Sequence, residues 1–167
     1  MNVRKVTSAL AISAALLLGT TGCSLNHNID SMQAYAPSDG SQIDIGNVKL
    51  RNFIYLSNGA GGKLIGSVVN NDANDITVQF EYTDFDTRTQ TDPITVSAGE
   101  TLGLGAGSDT EGLPVTISGL PGQKITIWVS INGATGQELV VPVLDGTLEQ
   151  YAPLVEKLTA VVPSPAE

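Results

Sequence analysis

The chain has 167 residues, of which 8 are Lys or Arg and 17 are Asp or Glu, giving a formal charge of −9. That balance excludes nucleic-acid binding, because phosphates are held by Lys and Arg. A single cysteine excludes a disulfide within the chain, and the length suits one domain.

The first element is an export signal. Arg4 and Lys5 precede a largely apolar run from Val6 to Leu18, and the small residues Gly19 to Gly22 follow it. The run is too short to span a bilayer, which takes about 20 apolar residues. Cys23 stands directly after Thr20-Thr21-Gly22. This exit resembles the lipobox of bacterial lipoproteins, in which the thiol receives a diacylglyceryl group before cleavage, although Thr20 stands where Leu is usual. Removing residues 1–22 takes Arg4 and Lys5 and no acid, which leaves 145 residues, 6 basic and 17 acidic, at a formal charge of −11. Two acyl chains anchor a protein stably. The expected address is the extracytoplasmic side of the cell membrane, with the lipid on Cys23 and no cofactor besides. An acidic body there stands off an anionic lipid surface.

Residues 23–42 read as a lipidated tether, polar and interrupted by Pro37 and Gly40. From residue 43 to 147 the signal is strand alternation. Val48, Leu50, Ile54 and Leu56 share one face of a first strand, with Lys49, Arg51, Phe53, Tyr55 and Ser57 on the other. The glycine-rich break at 58–62 leads to a second strand, Lys63 to Asn70, and then to a turn over 71–75. Ile76, Val78, Phe80 and Tyr82 line a third strand, and 84–93 reads as a polar loop. Short strands are expected at 94–97, 101–104 and 114–118, with a flexible loop over 105–112. Ile125, Ile127, Val129 and Ile131 form one face of the next strand, and the turn at 132–136 closes a hairpin into 138–144. The expected class is all-β: an antiparallel sandwich of immunoglobulin-like or cupredoxin-like type, with seven or eight strands. In the tail, 148–167, Leu148, Tyr151, Leu154, Val155 and Leu158 are spaced loosely like a helix, with a short helix expected from Pro153 to about Ala160.

The chemistry-bearing residues are few. The one histidine, His27, lies in the tether, where no fold fixes a catalytic geometry. His27 and Met32 are the only mature residues suited to Cu(I) beside Cys23. Asp72, Asn74 and Asp75, or Asp84, Asp86 and Asp92, are the calcium candidates on composition, but neither stretch has the Gly and Glu positions of an EF-hand. No carboxylate pair for glycoside hydrolysis can be located, and no glycine motif lies between a strand and a helix. The aromatics point instead to contact with a partner. Phe53, Tyr55 and Trp128 lie opposite the aliphatic faces of their strands and are the candidate partner surface. Tyr151 and Leu154 extend it as a docking segment, because an apolar tail beyond a completed sandwich needs cover.

Several segments together resemble a group of small actinobacterial lipoproteins, the LpqE-like family. They are Thr21-Gly22-Cys23, Tyr35 to Gly40, Ile45 to Asn52, Leu64 to Asn70 and Val141 to Gly146. The resemblance implies a β-sandwich distantly similar to periplasmic copper chaperones. Those carry His and Met ligands within the fold, and this sequence has none there. It also implies kinship with accessory subunits of the respiratory supercomplex that joins cytochrome bcc and the aa3-type oxidase. The resulting expectation is a non-enzymatic accessory or scaffold lipoprotein that binds a membrane protein complex. The alternative is a copper, calcium or small-ligand carrier of the cell envelope.

Overall fold

The computed structural model describes residues 38–158, apart from positions 60, 85, 106, 107 and 109. The expected export signal, Cys23, His27 and Met32 lie outside these residues. Ten strands and one short helix follow in chain order: β1 Ser41–Ile45, β2 Val48–Ser57, β3 Gly62–Asn70, β4 Ile76–Asp84, β5 Thr87–Gln90, β6 Ile94–Val96, β7 Thr101–Leu104, β8 Leu113–Val115, β9 Lys124–Ile131, β10 Gln137–Leu144 and α1 Ala152–Glu156. The strands hydrogen-bond in the order β5-β4-β9-β10-β2-β3-β7, with β1 on β2, β6 on β4 and β8 on β3.

β10 joins the two layers of this curled sheet. It pairs antiparallel with β9 along Gln137–Pro142, then its last residues, Val143 and Leu144, pair parallel with Tyr55 and Leu56 of β2. The all-β class is as expected, but one pairing is parallel, so the sheet is mixed. The two strands beyond the expected count are β1, which straddles the boundary placed between residues 42 and 43, and β5, inside the stretch read as loop. Neither shows a strong apolar alternation: β5 is Thr-Arg-Thr-Gln with no buried residue, and β1 has just two apolar residues, Ile43 and Ile45, both half-buried.

The core lies between the layers. Leu50, Phe53, Tyr55, Leu64 and Val68 from one side meet Val78, Phe80, Ile127, Val129 and Val141 from the other. The Phe53 and Phe80 rings lie 5.5 Å apart across it, tilted by 39°, a favourable aromatic arrangement.

The face assignment of β2 differs from the sequence reading, for a local reason. Its pairing with β3 slips between Arg51 and Ile54, and Asn52 adopts a left-handed φ of 54°. Such a bulge inverts the inside–outside alternation beyond it. Asn52 is held there by its side chain, whose Oδ1 accepts the Gly40 N–H at 2.9 Å. A Cβ on Gly40 would collide with the Asn52 backbone, so glycine is required for this clasp. After the bulge Phe53 and Tyr55 turn into the core, while Ile54 and Leu56 turn outward.

The tail covers that outward pair. Tyr151, Leu154 and Val155 pack with Ile54, Leu56, Ile65 and Leu144 as a second apolar cluster. The helix α1 is shorter than expected, and Pro153 sits in its first turn, where a missing N–H leaves no bond unmade. Three polar links fasten the tail. Tyr151 Oη donates to Asp39 Oδ2 at 3.1 Å, Asn58 Nδ2 to the Leu158 carbonyl at 3.1 Å, and Lys157 Nζ to Glu111 Oε1 at 2.9 Å.

Candidate functional site

The expected partner surface divides in two. Phe53 and Tyr55 are 0% exposed, which corrects their assignment as partner contacts: the Asn52 bulge places both in the core. Tyr55 Oη donates to the Ile117 carbonyl at 2.7 Å and accepts the Ile117 N–H at 3.3 Å. Burial pushes this phenol up to about 12. A Cβ on Gly62 would run into the Tyr55 ring, so the ring is walled in by backbone. Tyr151 is buried and Leu154 half-buried, and both face the chain's own β2 and β3. Burial, and then the bond to Asp39, raise the Tyr151 phenol.

Trp128 is different. It is half-buried on the outer face of β9, directly opposite Glu81 of β4 and Glu138 of β10. Strand alternation puts it there, since Ile127 and Val129 on either side point into the core. The ring helps to wall a concave site of about 390 Å³, lined also by Gln79, Glu81, Arg88, Gln90 and Ser130. The β9–β10 turn, residues 133–136, closes one side. That turn is rigidly set, because Asn132 takes a φ of 51° and its Oδ1 accepts the Thr77 N–H at 2.8 Å.

The charges of the site form one chain of contacts. Arg88 Nη2 lies 2.6 Å from Glu81 Oε1, and its Cζ is 5.9 Å from the centroid of the Trp128 ring. Gln90 Nε2 donates to Glu81 Oε2 at 2.9 Å, and Gln79 Nε2 donates to the Thr91 carbonyl at 3.0 Å. An exposed ion pair of this kind contributes about 0–1 kcal/mol, so its value here is positional. It holds a guanidinium beside the indole.

Sequence reasoning found Trp128 and missed the rest. Arg88 and Gln90 stand on an edge strand without an apolar face, and Gln79, Glu81 and Ser130 are the ordinary polar half of an alternating pattern. The available signal was the single Arg among the polar residues 87–90, next to a strand whose polar face holds Glu81.

Among the described residues no three His, Cys, Asp or Glu side chains are grouped as a metal site. The calcium candidates are engaged locally instead. Asp72 Oδ1 accepts the Ala73 N–H, Asp75 Oδ1 the Ala98 N–H, and Asp84 Oδ1 the Ser118 N–H. Asn70, fully buried, donates from Nδ2 to the Asn74, Val96 and Ser97 carbonyls and accepts the Asp72 N–H. The 70–75 turn is therefore a structural tie between β3, β4 and β6.

No family model matches the chain, and no curated protein does. Solved structures of similar shape include a copper-bound PCuAC domain from PmoF2, 14% identical, with a TM-score of 0.46, covering 62% of this chain and 97% of that one. The apo PmoF2 PCuAC domain is 15% identical, with a TM-score of 0.46, covering 65% and 97%. At this level the likeness is one of β architecture and transfers no ligand.

Proposed function

We propose that the chain is a non-enzymatic accessory lipoprotein, anchored by lipid on Cys23 at the outer side of the cytoplasmic membrane, where it binds an integral membrane complex. The family resemblance points to the cytochrome bcc–aa3 supercomplex as that complex. The observation that carries the reading is the contrast between the two outer faces. One is sealed by the tail, whereas the other presents Trp128, Arg88 and Glu81 in a concavity on paired strands. Trp is among the residues most often found at the energetic centre of protein interfaces. A membrane anchor raises the local concentration of the domain, so an interface of modest area is sufficient. The acidic body suits a partner that offers basic groups.

The test is affinity purification of the tagged, lipidated protein from gently solubilised membranes, with mass spectrometry of what accompanies it. Recovery of respiratory subunits in fixed ratio is the expected result, with the ratio collapsing for Trp128→Ala. Recovery of the free monomer alone would overturn the reading.

A further inference from the structure

We infer that the concavity beside Trp128 receives a basic side chain, lysine or arginine, from an extracytoplasmic segment of the partner. The inference rests on the accessory-subunit reading for the identity of the protein that brings this side chain. Its chemistry is carried by three features of the site.

The first is the hydrogen-bond inventory. The amide of Gln79 spends an N–H on the Thr91 carbonyl, and the amide of Gln90 spends one on Glu81. With each nitrogen fixed in that way, each Oε1 is left as an acceptor. The Glu81 carboxylate retains lone pairs beyond its two contacts, and Ser130 Oγ, 3.5 Å from the Gln79 carbonyl, adds another acceptor. Each amide also keeps a second N–H, and Arg88 keeps donors besides the one on Glu81, so the site offers both donors and acceptors. The acceptors are what an ammonium or guanidinium group, which donates without accepting, would use.

The second is the indole. A cation over an indole ring is attracted by the ring quadrupole. The chain already places a cation there: Arg88, 69% exposed at its side chain, lies over Trp128 and is held by Glu81. Arg88 thus occupies part of the place that an incoming basic side chain would take.

The third is charge. Trp128 stands in register between two carboxylates, Glu81 and Glu138. Arg88 neutralises Glu81, whereas Glu138 is exposed and has no ion-pair partner among the described residues. An anion entering the site would meet Glu81, with one already-paired arginine to receive it, while Glu138 flanks Trp128 from β10 outside the lining. The formal charge of the chain, −9, steers cations in the same sense.

The chain has one tryptophan, so indole fluorescence of the full-length lipidated protein in detergent reports on Trp128 alone. Acetylated tetralysine, acetylated tetraglutamate and chitotetraose serve as probes at low salt. The expected result is a saturable change with tetralysine that weakens as salt is added, and none with the other two. Arg88→Gln is expected to tighten tetralysine binding about fivefold, by removing the competing cation and freeing Glu81. The double change Glu81→Gln with Glu138→Gln is expected to weaken it about tenfold or more. Both variants keep Trp128 and alter only outward side chains, so thermal unfolding close to wild type confirms that the readout is local.

No saturable response to tetralysine at millimolar concentration would overturn the inference. So would weaker tetralysine binding by Arg88→Gln, a tetraglutamate response lost in that variant, or a saturable response to chitotetraose. This result separates from the membrane purification. Tetralysine binding without any co-purifying complex would sink the accessory reading alone, and a co-purifying complex with no tetralysine response would sink this inference alone.

Discussion

The outer side of β2 and β3 is apolar and is closed by the chain's own tail, whereas the outer side of β4 and β9 carries the single tryptophan and stays open. The two faces begin alike, each a sheet surface with large side chains pointing away from the core. They diverge because of what flanks them. The bulge at Asn52 turns Ile54 and Leu56 outward as an aliphatic patch, with no polar groups to satisfy it in water. The open face surrounds its indole with Gln, Glu, Arg and Ser, so it is stable when wet. Aromatic and aliphatic residues on an outer face therefore do not by themselves mark a binding surface. The polar residues around them separate a face that the chain must cover from one that it can leave open to water.

The contrast breaks most visibly if the tail is removed. Deleting residues 147–167 uncovers Ile54, Leu56 and Ile65 and should cost about 3–5 kcal/mol, as a buried aliphatic side chain is worth about 1.5–3 kcal/mol. A urea titration measures it, and a loss below about 1 kcal/mol would show that the tail is not a cover. Tyr151→Ala removes the centre of that cluster and should cost about 3 kcal/mol. Tyr151→Phe, which keeps the ring and loses the hydroxyl's bond to Asp39, should cost about 1 kcal/mol.

Within the core, Tyr55→Phe leaves the Ile117 carbonyl without its hydroxyl donor and should cost about 1–2 kcal/mol. Its pH signature is more specific. The phenol is raised from 10.0 to about 12 in the fold, so the unfolded chain loses this proton first. The contribution is full below pH 10 and is lost as pH rises toward 12. Urea midpoints at pH 9 and pH 11 should diverge in the wild type and diverge less in Tyr55→Phe, the remainder coming from the raised phenol of Tyr151.

On the open face the expectation reverses. Trp128→Ala should change stability by less than about 1 kcal/mol, as surface substitutions do, while removing partner capture. A loss as large as that of Tyr151→Ala would make Trp128 a packing residue and erase the distinction. Smallest of all is Lys157→Ala. It breaks an exposed pair with Glu111 and should barely move the urea midpoint, with no difference left in high salt. The Lys157 ammonium holds the Glu111 carboxyl below its usual value, so the pair is present at neutral pH and is lost as pH falls through that lowered value.

Strands with one buried face were legible in the sequence. Ile76, Val78, Phe80 and Tyr82 alternate with polar residues and are buried as expected, as are Ile127 and Val129. β2 was not legible beyond Arg51, because Phe53-Ile54-Tyr55-Leu56 is apolar at both parities, the mark of a strand buried on both faces. Asn52, a residue that tolerates left-handed φ, was the local cue for the slip. The tail's partner could not be read, since nothing local says which surface a short apolar segment will cover. At the site, strand parity gave the outward direction of Trp128. Arg88, Glu81 and Gln90 converge on it only through the β4–β5 and β4–β9 registers, which no pattern within a single strand specifies.

Photo-crosslinking from two positions in membranes tests the contrast most directly. A photoreactive residue replaces Ala134, on the lip of the open site, or Leu154, under the tail. The account predicts adducts to an integral membrane protein from position 134 and crosslinks within the chain alone from position 154. Partner adducts from position 154, with none from position 134, would contradict it.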